Sequence, residues 1–125
     1  MINPVANRIE DDSRILTVAV ARVADLWGLS NAKLGAVLGL SPATASRLRS
    51  SQTKLDPVSK SFEAGQFLVR LFRSLDALMG SDDAAARSWL NAANLDLEGR
   101  PTDLIDSFKG LIKVCDYVDA YRARV

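Results

Sequence analysis

Two side chains that dominate enzyme chemistry are scarce in this sequence. There is no histidine, which removes the commonest general base and a frequent metal ligand. There is one cysteine, Cys115, so no intrachain disulfide can form, and a single thiol fits a reducing compartment. No serine, lysine or paired carboxylate forms a catalytic pattern. We therefore expect a protein that is not an enzyme, with no cofactor and no metal site.

Long hydrophobic runs are also missing. The most apolar stretch, Ile15–Leu26, is short and is interrupted by Arg22 and Asp25. The sequence shows no signal-peptide pattern either. These features predict a cytoplasmic protein that does not associate with a membrane.

Aromatic residues make up only 6% of the 125 residues, whereas 48% of the chain is hydrophobic. The apolar residues are mainly Ala, Leu and Val, and no segment alternates with period two, which favours helices over strands. We predict an all-α fold. It comprises an N-terminal helix-turn-helix bundle, then a long dimerisation-type helix, then a small helical C-terminal domain.

The charges are unevenly distributed although the net charge is only +1. Between Ser13 and Leu55 there are six bases and one acid, whereas between Ser61 and Val125 there are eight bases and ten acids. A basic half suits phosphate and a mildly acidic half suits protein. We place the division at residue 55, between a basic N-terminal domain with an N-terminal arm over 1–55 and a helical C-terminal domain over 56–125.

The segment Asn31–Ser50 has the pattern of a helix-turn-helix. Gly35 is the small residue where the two helices cross, and Gly39, four positions later, is a turn residue that tolerates positive φ. Ser41-Pro42 is a strong helix start because it combines an N-cap with proline at the first helical position. The apolar anchors of the motif are Leu34, Leu38, Leu40, Ala45 and Leu48.

The second helix of this motif is expected to enter the major groove of DNA by its N-terminal end. Arg47 is the candidate for reading guanine, because its guanidinium can bind O6 and N7 together. Ala43 could touch a thymine methyl group, and other polar residues would contact phosphate. The predicted DNA-binding residues are Lys33, Ser41, Pro42, Ala43, Thr44, Ser46, Arg47, Arg49 and Ser50. The basic surface is modest, so we expect two or more copies to act together.

Further helices follow at regular intervals. Residues 1–12 read as a loose arm, and the first helix is predicted from Ser13 to Trp27. Asp56-Pro57 is a second N-cap and proline start, for a helix that reaches Met79. Pro101 starts another helix, and Gly110 could separate that helix from the last one.

The helix after Asp56 carries two apolar stripes. One contains Phe67, Leu68, Leu71, Leu75 and Leu78, and the other contains Phe62, Val69 and Phe72. Two stripes indicate that the helix is covered on both sides. The second stripe is either a dimer interface or part of a larger internal core, and the sequence leaves both open.

The C-terminal half contains a more specific pattern. Its members are Trp89-Leu90-Asn91, Asn94, Leu97, Gly99, Pro101, Leu104-Ile105, Gly110 and Val114. This pattern resembles the C-terminal domain of the MbcA/ParS/Xre antitoxin family, in which an Xre-like helix-turn-helix precedes it.

The resemblance implies an antitoxin of a type II toxin–antitoxin system, with the helix-turn-helix DNA-binding domain over 1–55 and a helical dimerisation and toxin-binding domain over 56–125. Its partner would be a RES-domain toxin that consumes NAD, whose NAD site the C-terminal domain blocks, while the helix-turn-helix binds operator DNA and represses the shared operon. The exposed residues near the pattern are the implied toxin-binding residues: Asn94, Asp96, Arg100, Tyr117, Tyr121, Arg122 and Arg124. For Arg122 and Arg124, two interpretations remain open: contact with the space of a dinucleotide phosphate, or stabilisation of a helix C-terminus.

A competing hypothesis is a dimeric transcriptional regulator whose C-terminal half only oligomerises. A small helical enzyme is a third, which the missing histidine disfavours.

Overall fold

The computed structural model describes residues 3–124 and contains seven helices there and no strand. They are α1 (Pro4–Trp27), α2 (Asn31–Leu38), α3 (Pro42–Arg49), α4 (Lys60–Leu78), α5 (Asp83–Asn91), α6 (Pro101–Leu104) and α7 (Phe108–Arg124). The predicted all-α class is confirmed. None of these helices is both long and apolar enough to cross a membrane.

The first helix is longer than predicted. The Asn3 side chain accepts a hydrogen bond from the Val5 amide, Pro4 occupies the first turn, and the helix runs unbroken to Trp27. The predicted loose arm is therefore wrong for residues 4–12, and residues 1 and 2 lie outside the described residues. Asn3-Pro4 is an N-cap and proline start of the same kind as Ser41-Pro42, and nothing between it and Ser13 breaks a helix.

The helix-turn-helix forms as predicted. Ser30 and Ser41 cap α2 and α3 through their side-chain oxygens, and Gly39 has the left-handed conformation with φ 72°. At Gly35, a Cβ atom would lie 2.5 Å from the Leu40 carbonyl oxygen. Even alanine would crowd the backbone there, so glycine gives the closer fit at this crossing.

The start of α4 differs from the prediction. Ser59, not Asp56, caps this helix, because the Asp56 carboxylate accepts a hydrogen bond from the amide of Val58 and closes a local turn. The preceding Leu55 is buried, and its amide donates to the hydroxyl of Thr17 at 3.0 Å. The polar connection between α3 and α4 is thus anchored on α1.

The long helix α4 is central to the core, since it packs on α1 on one side and on α7 on the other. Leu68, Leu71 and Leu75 are fully buried, and the ring of Phe72 packs against Trp27 at 5.6 Å between centroids. Packing within the chain therefore accounts for Phe72, the most C-terminal residue of the predicted dimer interface.

Because α4 contributes to the cores of both halves, the division at residue 55 remains a prediction.

Gly110 permits a close approach in the C-terminal half. It lies inside α7, two residues after the helix starts, rather than between two helices as predicted. A Cβ atom at this position would overlap the Leu104 carbonyl group at the end of α6. The Ser107 hydroxyl accepts a hydrogen bond from the Gly110 amide at 3.0 Å, which caps the first turn of α7.

Candidate functional site

The outer surface of α3 is polar and free of large apolar side chains. Ala45 and Leu48 face the core with 0% and 2% exposure, whereas Ala43, Ser46 and Arg47 are exposed. Pro42 and Ser50, at the two ends of this helix, are exposed as well. This orientation leaves the predicted base-reading residues on one accessible face.

Hydrogen bonds within α3 hold its basic side chain in place. The Ser41 hydroxyl accepts from the Thr44 amide at 3.1 Å, and the Arg47 guanidinium donates to the Thr44 hydroxyl at 3.1 Å. The guanidinium of Arg47 therefore lies along the first turns of the helix. Hydroxyls and a helix N-terminus beside an arginine match the mixture of phosphate and base contacts that DNA-binding helices make.

Arg49 is turned inward instead. Its guanidinium donates to the carboxylate of Asp25 at 2.8 Å, the carbonyl of Leu29 at 2.5 Å and the amide oxygen of Asn31 at 3.2 Å. Only 22% of the side chain is exposed. Arg49 thus joins α3 to the end of α1 and the start of α2, and it is not available to DNA in this arrangement.

Lys33 is also turned away from the α3 surface. Its ammonium group lies 2.8 Å from the Asp106 carboxylate and donates to the Thr102 carbonyl, both in the C-terminal half. The side chain is 20% exposed. Lys33 therefore connects the helix-turn-helix to the region around α6. Apart from Lys33 and Arg49, the predicted DNA-binding residues lie on α3 and its two caps, and within residues 3–124 they form no hydrogen bond or ion pair with the C-terminal half.

A second candidate surface lies where α4, α5 and α7 meet. A cavity of about 320 Å³ is walled by the side chains of Leu75, Leu78, Met79, Trp89, Tyr117, Val118 and Tyr121. Trp89 stacks on Tyr117 with an interplanar angle of 19°, and the Tyr117 and Tyr121 rings lie 5.1 Å apart. We call these three aromatic residues and the cavity between them the aromatic cleft.

The loop between α5 and α6 borders this cleft through a contact with Tyr117. Asn94 and Gly99 pair through their backbones, and the hydroxyl of Tyr117 donates to the Asp96 carboxylate at 2.8 Å. The hydrogen bond with Tyr121, partial burial and the Asp96 carboxylate together raise the pKa of Tyr117 to about 12. The Tyr117 hydroxyl thus ties α7 to the loop as a hydrogen-bond donor.

The predicted toxin-binding residues separate into three groups. Asn94, Asp96, Tyr117 and Tyr121 come together at the aromatic cleft, and the Arg124 guanidinium lies 5.7 Å from the centre of the Tyr121 ring. Arg100 forms an ion pair with Asp103 and lines a different cleft, near Lys33. Arg122 lies on another face of α7, beside Arg70 and Arg73 of α4.

Two features of this surface are absent from the predicted set. Leu95 is 94% exposed at the tip of the loop, next to Asp96. Trp89, a member of the C-terminal sequence pattern, is half-buried and walls the cleft. The loop contains two leucines, Leu95 and Leu97, and only the structure shows that Leu97 is buried while Leu95 is exposed. The position of Trp89 depends on how α5 packs against α7.

Cys115 has no open surface. It is fully buried, and its thiol donates to the Phe67 carbonyl at 3.2 Å. Burial raises the pKa of the Cys115 thiol to about 12. Among residues 3–124, no cluster of three or more acidic, cysteine or histidine side chains is placed to hold a metal ion.

The fold defines a helix-turn-helix protein with a helical C-terminal half that carries the aromatic cleft. Residues 10–73 match the antitoxin Xre-like helix-turn-helix domain, and residues 74–124 match the antitoxin Xre/MbcA/ParS C-terminal toxin-binding domain. The chain therefore belongs to the Xre/MbcA/ParS antitoxin family, and the resemblance seen in the sequence is confirmed. These domain types are antitoxin and DNA-binding types rather than enzymes. No curated protein matches the chain.

Proposed function

We propose that this antitoxin neutralises a RES-domain toxin by blocking its NAD site, and that it represses its own operon through α3 in the cytoplasm. The observation that carries the proposal is the separation of two unlike surfaces on one chain. The α3 surface is polar with a held arginine, whereas the aromatic cleft is apolar with an exposed rim.

The aromatic cleft has the composition of a protein-binding hot spot. Tyr and Trp are enriched at the centres of interfaces, where they bury much area for little loss of side-chain entropy. Tyr121 is 44% exposed and Leu95 is 94% exposed, so both can be covered by a partner. Arg124, held over the Tyr121 ring, is the basic group at this face that suits the phosphate-binding part of an NAD site.

The proposal is tested by co-expressing the full chain with a RES-domain protein encoded directly beside it. Growth and cellular NAD are measured. The wild-type chain should restore both. Tyr121→Ala should weaken toxin binding by about 2 kcal/mol, roughly thirtyfold, as truncation of a hot-spot residue does. Failure of the wild-type chain to restore growth or NAD would overturn the proposal.

A matched pair of apolar loop residues provides the control. Leu95→Asp places a charge on the loop that borders the aromatic cleft. Val58→Asp places a charge on the loop before α4, at a residue of nearly equal exposure, 92%. Leu95→Asp should impair neutralisation and Val58→Asp should not. Equal effects of the two variants would show that the cleft is not the toxin-binding face.

A further inference from the structure

The N-terminal part of α1 extends beyond the body of the protein. Every residue from Pro4 to Asp12 is exposed, whereas Ser13 is buried. This N-terminal overhang, residues 4–12, carries two large apolar side chains, Val5 at 63% exposure and Ile9 at 46%. A helical segment this short gains little stability by itself in water. An uncovered apolar pair on such a segment indicates that something packs against it.

A groove lies beside the overhang, between α1 and α4. Its volume is about 490 Å³, and its apolar wall includes Ile15 and Leu16 of α1 with Phe62 and Val69 of α4. Ile9 and Leu16 are seven residues apart and so lie on the same side of α1. The apolar row of the overhang therefore continues into this α1–α4 groove.

The charges of the overhang and the groove are opposite. The overhang contains three acids, Glu10, Asp11 and Asp12, and one base, Arg8. The Asp11 carboxylate lies 3.7 Å from the Arg14 guanidinium, on the side of α1 away from Ile9, so Glu10 and Asp12 are the acids placed to face a groove. The groove is lined by Arg70, Arg73 and Arg122. Arg70 pairs with Asp119, but among residues 3–124 no carboxylate forms an ion pair with Arg73 or Arg122. An acidic, apolar segment thus lies beside a basic, apolar groove.

The overhang cannot fill the groove of its own chain, because α1 is one continuous helix and Asp12 already lies at the groove's edge. A second copy can. We propose that two copies dimerise about a two-fold axis, each inserting its overhang into the α1–α4 groove of the other. In a two-fold pair the same contact forms twice, so both apolar pairs and both basic grooves are covered together.

This dimer provides the duplicated helix-turn-helix on which operator binding by the proposed function rests. It also places two of the three predicted dimer residues, Phe62 and Val69, in the interface. The experiment uses the full chain without toxin or DNA, so its failure would be distinct from failure of the proposed function.

Charge reversal tests the exchange. One variant carries Glu10→Lys and Asp12→Lys in the overhang, and the other carries Arg73→Glu and Arg122→Glu in the groove. Mass is measured by light scattering across a concentration series. The wild-type chain should dimerise, and each variant alone should dissociate at concentrations about tenfold higher or more, because like charges then meet at both contacts.

An equimolar mixture of the two variants should recover the dimer. In the mixed pair a basic overhang meets an acidic groove, and an acidic overhang meets a groove that keeps its arginines. A wild-type chain that is monomeric throughout, or variants that dimerise as tightly as the wild type, would overturn the proposal. So would a mixture that stays monomeric. Groove variants that lose only toxin or operator binding, with an unchanged mass, would assign the groove to that partner instead.

An apolar pair controls for folding. Ile9→Ser removes a proposed contact, whereas Val18→Ser removes an apolar side chain that is 55% exposed on the opposite side of the same helix, nine residues on. Helix content measured by circular dichroism should change little in either variant. Only Ile9→Ser should weaken the dimer, and equal weakening by Val18→Ser would contradict the proposed geometry.

Discussion

The α3 surface and the aromatic cleft present opposite chemistry on one core. The α3 surface exposes small and polar side chains, with an arginine braced by Thr44. The aromatic cleft exposes Tyr121 beside an apolar cavity, and the loop that holds Asp96 against Tyr117 exposes Leu95. Nucleic acid is bound through charge and hydrogen bonds, whereas protein interfaces depend on central aromatic and apolar anchors. The difference teaches that each half of the chain was shaped for a different kind of partner.

The largest expected effect comes from substituting the two glycines that allow close backbone contacts, one in each half of the chain. Gly110→Ala forces a methyl group against the Leu104 carbonyl, and Gly35→Ala crowds the Leu40 carbonyl. Each should lower the free energy of unfolding by roughly 3 kcal/mol, the upper part of the range for overpacking. Thermal unfolding followed by circular dichroism measures this loss.

Gly28→Ala is the control for these two variants. Gly28 has φ 66° but no atom within 4 Å of the added Cβ. Its substitution should cost only the left-handed strain of about 1 kcal/mol. Equal losses at all three positions would contradict the close approaches. At temperatures where the chains stay folded, Gly35→Ala should impair operator binding more than toxin binding, and Gly110→Ala should do the reverse.

A smaller effect distinguishes the basic residues that face DNA from those that face the protein. Arg47→Ala should reduce the preference for the operator over unrelated DNA by about 1–3 kcal/mol. Lys33→Met should leave operator affinity and its salt dependence unchanged, because this ammonium group is bound to Asp106 and Thr102. Fluorescence anisotropy at several salt concentrations measures both. A weaker salt dependence of operator affinity for Lys33→Met would show that this lysine contacts DNA.

The smallest effect is a change in titration at the aromatic cleft. Because the hydrogen bond with Tyr121 is the largest cause of the raised pKa of Tyr117, Tyr121→Phe should lower that pKa from about 12 towards 10, the ordinary tyrosine value. The chain has two tyrosines, so this variant leaves one phenol to follow by ultraviolet absorbance. Asp96→Asn should lower the pKa less. An unchanged pKa of Tyr117 in both variants would contradict the contacts of its hydroxyl with Tyr121 and Asp96.

The raised pKa of Tyr117 also predicts that the stability of the native state depends on pH. The native state holds the Tyr117 proton more tightly than the unfolded chain does, so the stabilisation is present below pH 10 and is lost as the pH rises towards 12. Tyr121→Phe should make unfolding less sensitive to pH within that interval.

Much of the fold could be predicted because its signals are local. Helix caps at Ser30 and Ser41, and glycines at positions 35 and 39, act over three or four residues, so the motif was readable from spacing alone. Asn3-Pro4 has the same N-cap and proline pattern, but the polar composition of residues 1–12 favoured the prediction of a loose arm. At Asp56-Pro57 the same pattern predicted a helix start that does not form. The Asp56 side chain closes a turn instead, and Ser59 caps the helix.

The sequence by itself determined the all-α fold, the helix-turn-helix and the family, because capping, turn geometry and periodic burial depend on neighbours along the chain. Only the tertiary structure decided where the charged and aromatic side chains point. It bound Lys33 to Asp106, turned Arg49 towards Asp25, and gathered Trp89, Tyr117 and Tyr121 around one cavity. Those contacts join residues 24 to 73 positions apart or lie between separate helices, and no local pattern encodes them.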